Sequence, residues 1–305
     1  MTHQMISGIL LLNKPLYLSS NAALQKVKRL FNAKKAGHTG NLDPLATGML
    51  PICFNEATKF SQFLLESDKA YLVTVKLGER TTTGDGEGEV VECQSAAHVR
   101  QDHLQVVMQQ MTGTIQQIPP MYSAIKYQGQ ALYTLARKGI EVERTPRDVT
   151  IHHFKLLEFT HDEFICEVKC SKGTYIRTLI EDCAKQLNTV AYVKALHRHY
   201  VSPYAQMTMY TLDQLEQFKM QQGDEGLQSL LLPMMTMMHA YPEVKLSETL
   251  AYYFRMGQAV RISHQAIEMT QRARVITEYG HFLGVGKIAS DGLLHPERLL
   301  ADSTI

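Results

Sequence analysis

Acidic residues are missing from the first 42 positions of this chain. Lys14, Lys26, Lys28, Arg29, Lys34 and Lys35 give that segment a charge of +6. The remainder holds 25 basic and 30 acidic groups and sums to −5, so the total is only +1. Net charge therefore does not mark a nucleic-acid binder. A local basic face still holds phosphates, and a solvated helix face is the plainer reading of the same residues. No apolar run approaches the roughly 20 residues of a bilayer span, and the N-terminus shows no charged-then-apolar leader pattern. Cys53, Cys93, Cys166, Cys170 and Cys183 contain no C-x-x-C pair. Cys166 and Cys170, on an alternating strand, stand roughly 13 Å apart, too far to share one metal ion. The expectation is a cytoplasmic protein with reduced, mostly buried thiols. A P-loop, a dinucleotide fingerprint, Cys/His metal spacing and a G-x-S-x-G elbow are all lacking. The glycine-rich stretch 81–88 lacks the acidic spacing of a calcium loop, and there is no internal repeat or low-complexity tract.

What is present suits a folded core. At 305 residues, 45% apolar and 20% charged, the chain has room for one large domain and a small one. Ile9-Leu10-Leu11-Leu12 reads as a buried strand. Ser19-Ser20-Asn21 supplies N-cap residues for a helix with Leu24, Val27, Leu30 and Phe31 on one face. Residues 45–65 read as a second helix broken near Pro51. Tyr71, Val73, Val75 and Leu77 alternate along a strand from Lys69 to Gly78. Glu89-Val90-Val91-Glu92 completes a hairpin-like unit, and residues 101–111 read as helical. Residues 119–147, opened by Pro119-Pro120 and closed near Pro146, read as an excursion with a short helix over 129–138 that stops at Gly139. Phe164, Cys166, Val168 and Cys170 alternate on a strand. Ser171-Lys172-Gly173-Thr174 turns it into a helix with Ile176, Leu179, Ile180, Cys183 and Leu187 inward. The methionines at 234, 235, 237 and 238 read as gap-filling packing. Beyond a helix ending at Gly257, strands near 259–262, 273–278, 282–289 and 293–299 form a small, mostly β module, with Ser290-Asp291-Gly292 as a hairpin turn.

Asp43 is the first carboxylate in the protein. It lies in the loop Gly37-His38-Thr39-Gly40-Asn41-Leu42-Asp43-Pro44-Leu45-Ala46-Thr47-Gly48. Asp before Pro is commonly a helix cap. Here Gly37, Gly40 and Gly48 permit close approach by a ligand, Pro44 restricts Asp43 to extended backbone, and Leu42 and Leu45 lower the polarity. Arg177 falls in the first turn of a helix, where a cation opposes the dipole by about 0.3–1 kcal/mol. A carboxylate or a phosphate would compensate it; an exposed Arg with a packed stem is the alternative. Lys172 and the free amides of that helix start are also placed for a phosphate. Tyr71 is a core aromatic or a platform for a ligand. His38 is a turn residue or a base- or phosphate-contacting one. Asp85 sits in the glycine-rich turn.

Taken together, these segments resemble one known family. Gly-His-Thr-Gly-x-Leu-Asp-Pro-x-Ala-Thr-Gly (37–48) resembles the catalytic loop of the TruB family of pseudouridine synthases. Ile9 to Pro15, Lys69-Ala70-Tyr71, Leu77 to Thr81, Ile118 to Ala124 and Ser171 to Arg177 are similar to its further motifs, which follow one another in chain order. Phe282 to Gly286 resembles its C-terminal RNA-binding module of PUA type. The resemblance implies an α+β fold: a mixed, largely antiparallel sheet flanked by helices, plus a small β-rich PUA-like domain. Residues 1–240 would be catalytic, with an RNA-gripping insert at 119–147, and 241–305 the second domain. It implies isomerisation of uridine 55 in the tRNA T-loop to pseudouridine, without cofactor or metal. The partner would be the T-arm, with no membrane and no obligate protein partner, and the protein would act as a monomer. Asp43 would be the catalytic carboxylate, Arg177 its ion-pair partner and Tyr71 the residue on the target uracil. His38 would help extrude the base; Lys14, Asp85, Lys172, Tyr175 and His199 would complete the substrate site. The chain departs from the family pattern at Asn13, Tyr17, Asn41, Thr82, His197 and His199. Other chemistries open to these residues are tRNA chaperoning, a guide-dependent modifying subunit, and hydrolytic N-glycoside cleavage by Asp43.

Overall fold

The computed structural model describes residues 6–262 and 271–301. The chain runs β1 (Gly8–Lys14), α1 (Ser20–Leu30), β2 (Ala36–His38), β3 (Ala46–Phe54), a 3-10 turn (Asn55–Phe60), α2 (Ser61–Leu65) and β4 (Lys69–Leu77). There follow β5 (Glu79–Thr81), β6 (Val90–Cys93), α3 (Gln101–Gln110), β7 (Gly113–Gln117), β8 (Lys126–Tyr127), β9 (Gln130–Ala131), α4 (Leu132–Ala136), β10 (Arg147–Phe159) and β11 (Glu163–Cys170). Then come α5 (Ile176–Gln186), β12 (Ala191–Val201), α6 (Leu212–Ser229) and a 3-10 turn (Met234–Met238). The C-terminal part holds β13 (Glu243–Leu246), α7 (Glu248–Arg255), β14 (Val260–Arg261), β15 (Arg272–Thr277), β16 (Phe282–Ile288) and β17 (Leu293–Leu299).

The main sheet has the order β1-β3-β12-β4-β11-β10-β7, with β2 added on β3. Only β3 and β12 pair in parallel; every other pairing in this sheet is antiparallel. The fold is thus α+β, as the resemblance implied. Alternation decides the faces. Leu10, Leu50, Tyr71, Val73, Val75, Cys166 and Val168 meet α1, α3, α5 and α6 in one core. On the reverse side of β1 and β3, Ile9, Leu11, Met49 and Cys53 pack with Phe60, Phe63, Tyr204, Met237 and Met238. Val285 and Leu300 of the C-terminal part complete that second core. The five-stranded C-terminal sheet, β13-β15-β16-β17-β14, is also mixed, because β13 pairs with β15 in parallel.

Residues 45–65 are not a broken helix. Residues 46–54 form β3, and helical backbone begins only at Asn55. Leu50, Ile52 and Phe54 enter one core while Met49 and Cys53 enter the other. A strand buried on both faces loses its polar alternation, and its apolar run then imitates a buried helix. Asp43 accordingly caps no helix; Ala46 N–H donates to its carbonyl at 3.0 Å in a tight turn.

Candidate active site

The loop between β2 and β3 is held from several sides. The Ser20 hydroxyl, at the start of α1, donates to the Leu42 carbonyl at 2.9 Å and accepts from the Leu42 N–H at 2.8 Å. Thr39 N–H donates to the Pro51 carbonyl, and Tyr17 N–H to that of Pro44. Gly40 has φ +92°, a conformation that a side chain resists. Beneath the loop lies Arg198, which is 1% exposed. Its Nε donates to Met49 O at 2.8 Å, Nη1 to Asn41 O at 3.3 Å and Nη2 to Gly40 O at 3.2 Å.

Asp43 projects from this loop toward α5. Its Oδ2 is 3.0 Å from Nη2 of Arg177. Arg177 is itself locked: Nη1 donates to Thr83 O and Nη2 to Tyr122 O, both at 2.8 Å. Its Nε lies 3.7 Å from Oδ2 of Asp85. Burial pushes the Asp43 carboxyl above its ordinary range, and the Arg177 charge works against that rise. Asp43, Tyr71, Tyr122, Tyr175, Arg177 and Leu196 line one cavity of about 140 Å³. A larger cleft, about 770 Å³, lies alongside between Thr81–Gly84, α5 and the 119–147 insert. It shares Tyr122 with the smaller cavity and does not include Asp43. A carboxylate held beside a fixed guanidinium, with aromatic rings around it, can do nucleophilic or proton-abstracting work on a planar ring.

Of the residues singled out from sequence, Asp43, Tyr71, Tyr175 and Arg177 are brought together in this cavity. The others are not among its lining. Lys14 is fully buried, and its ammonium donates to the carbonyls of Pro15, Leu18 and Pro44. In this structure its donors are spent on the protein's own backbone rather than turned to the cavity. Asp85, also buried, accepts from Thr83 Oγ1 at 2.6 Å and from Glu87 N–H at 3.1 Å. It acts on Arg177 rather than facing the cavity. His199 reaches Glu167 Oε1 at 3.2 Å. Glu167 pairs with Leu72, whereas Arg198 pairs with Tyr71, so His199 lies on the sheet face opposite the cavity. His199 is not among the residues that line the cavity. Lys172 is exposed, 3.6 Å from Glu66. His38 is half-buried on β2, its Nδ1 without a partner among the described residues. Burial, then Arg198, lowers its pKa. Sequence reasoning gave Arg198, in the Leu196-His197-Arg198-His199 stretch, no role of its own, because its burial has no local signature between two histidines.

Three family models match the chain in succession. The TruB family pseudouridylate synthase N-terminal domain covers residues 28–176. The tRNA pseudouridylate synthase B C-terminal domain covers 177–239, and the pseudouridine synthase II TruB C-terminal model 242–300. A protein of Nitrosococcus oceani named tRNA pseudouridine synthase B is 50% identical over 298 residues, 97% of this chain and 96% of that protein. One of the same name from Photorhabdus laumondii is 48% identical over 305 residues, covering 98% and 96%. Among solved structures, a Cbf5-Nop10-Gar1 complex gives a TM-score of 0.76 at 23% identity, covering 97% of this chain and 85% of that one. At that identity the likeness speaks for the fold alone. Nearly end-to-end identity of about one residue in two decides the matter: this chain belongs to the TruB family of pseudouridine synthases.

Proposed function

We propose that this protein converts uridine 55 in the T-loop of tRNA to pseudouridine, acting by itself on the T-arm as a cytoplasmic monomer. The relatives' shared name supports the reaction and the RNA class. The observation that carries the residue roles is the Asp43–Arg177 pair, at 3.0 Å, in a cavity with Tyr71 and Tyr175. In the reaction the N1–C1′ bond breaks, the uracil turns, and C5–C1′ forms. C5 gives up its proton and N1 gains one, so the product is an isomer and nothing is oxidised or reduced. Asp43 acts as the ionised carboxylate and Arg177 keeps it so. Tyr71 offers the uracil a face and a hydroxyl beside it.

The target nucleotide has to leave its stack, which costs a few kcal/mol. Contacts along the large cleft and the 119–147 insert supply that, with His38 entering where the base departs and Lys172 at a phosphate. RNA read by shape and splayed bases suits such a surface. Residues 1–240 form the catalytic domain in this reading, and 241–305 a PUA-like RNA-binding one. Chaperoning of tRNA folding is a second activity that needs the same surface but not the carboxylate.

Tritium release from a transcript labelled at uridine C5 tests this, with wild type and Asp43→Asn side by side. Release by wild type alone, with RNA bound by both, is the expected result. Release by neither, with RNA still bound, would withdraw the catalytic assignment. Free uracil among the products would replace isomerisation by hydrolysis. Refolding of tRNA by Asp43→Asn would establish the chaperone activity separately.

A further inference from the structure

Arg198 is a buried cation without a carboxylate partner among the described residues. Its three donated hydrogen bonds go to backbone carbonyls, and those carbonyls bracket Asp43: Gly40 and Asn41 before it, Met49 after it. Its own backbone lies between two strands that matter. Arg198 is in register with Gly48 on β3 and with Tyr71 on β4. Gly48, at φ +100°, leaves no room for a side chain, because a Cβ there would stand 2.3 Å from the Arg198 carbonyl.

Burying a charge without a counter-charge is costly, and neutral amides could satisfy the same carbonyls. A cation at this point therefore has a use beyond filling space. Its rigid fork binds several acceptors in fixed directions, as a lysine ammonium does not. Here those acceptors are the loop that carries Asp43, while the backbone of Arg198 is paired with that of Tyr71, which lines the same cavity.

We propose that Arg198 is a positioning residue for the isomerisation, tying the Asp43 loop to Tyr71 so that carboxylate and aromatic ring keep one spacing across the cavity. It touches neither the substrate nor the reacting atoms; it acts through Gly40, Asn41, Met49 and Tyr71. The proposal rests on the functional reading above. A displacement of about 1 Å at a reacting group lowers rates on the order of 10²-fold, and a loop released from three hydrogen bonds moves on that scale.

Single-turnover tritium release and RNA binding, measured together on Arg198→Met, Arg198→Lys and Arg198→Ala, test it. Arg198→Met is expected to lose on the order of 10²-fold in rate without a matching loss of RNA affinity, and Arg198→Lys to lose less. Added guanidinium is expected to restore part of the rate of Arg198→Ala and none of that of Asp43→Asn. That rescue distinguishes positioning from a general weakening of the fold. Wild-type rate in Arg198→Met, affinity falling in step with rate, or failure of all three variants to fold would each overturn the proposal. An inactive wild type would instead overturn the functional reading beneath it.

Discussion

Nη2 of Arg177 stands 3.0 Å from Oδ2 of Asp43, and the two ends of this pair differ in exposure: 7% for the arginine side chain, 34% for the aspartate. The cation is sealed by the carbonyls of Thr83 and Tyr122, while the anion reaches the cavity. A cation in the first turn of α5 opposes the helix dipole by about 0.3–1 kcal/mol. Two carboxylates, Asp43 and the more distant Asp85, offset that. Such an arrangement fixes the guanidinium from the protein side and leaves the reactive carboxylate accessible.

Asp85 raises the pKa of Asp43, because a like charge nearby disfavours ionisation. Asp85→Asn removes that charge while its oxygen can still accept from Thr83 and Glu87. The ionised form of Asp43 then persists to lower pH, so the acid limb of the turnover profile moves downward. Loss at neutral pH is expected to stay under about tenfold, less than removal of an acid–base group. A limb that moved upward would show that Asp85 serves Asp43 only through Arg177.

Gly48→Ala tests the close passage of β3 and β12. The added Cβ meets the Arg198 carbonyl at 2.3 Å, at a backbone φ of +100°. Backbone cannot yield as a flexible side chain does, so the expected cost is about 2–4 kcal/mol. Urea unfolding would read it as a lowered midpoint with an unchanged slope. A near-neutral effect would mean that the strands part easily there.

The C-terminal part is joined through aromatic packing. Phe282 lies 5.5 Å from Phe60, and Ala301 N–H donates to Glu56 at 2.9 Å. Phe282→Ala should cost about 2–4 kcal/mol of stability and leave single-turnover rates on bound RNA unchanged, since this packing is on the sheet face away from Asp43. A fall in that rate would reveal coupling between the two parts.

How much of this was legible beforehand follows from where information sits in a sequence. The Asp43 loop, the Arg177 turn and the Tyr71 strand are local patterns, and they converge as their motifs implied. The 45–65 segment reads as a helix because β3 is buried on both faces and shows no period of two. β12, the only parallel neighbour of β3 in the main sheet, left no clear pattern: Tyr192, Lys194, His197 and His199 interrupt it. Lys14 and Arg198 could not be placed, because a cation satisfied by distant carbonyls looks like any surface cation until the chain is folded.

Lys14 supplies the last prediction. Burial pushes its pKa from 10.5 to about 8, against the opposing pull of Asp43 and Glu87. Below about pH 8 both folded and unfolded chains hold the proton, and the fold bears the whole cost of the buried charge. Between about 8 and 10.5 the folded protein has released it while the unfolded chain keeps it, so this group's contribution to stability rises with pH. Lys14→Met lacks that rise. The difference in unfolding free energy, wild type minus variant, should therefore grow through this window. Buried thiols such as Cys53, pushed up to about 12, bend both curves the other way and cancel in the difference. A flat difference would mean that Lys14 is wetter than its burial indicates. The same variant carries a functional sign: the Lys14 charge favours ionised Asp43, so its removal should move the acid limb of turnover upward, opposite to Asp85→Asn. Two substitutions of opposite charge, displacing one limb in opposite directions, would identify that limb as the titration of Asp43.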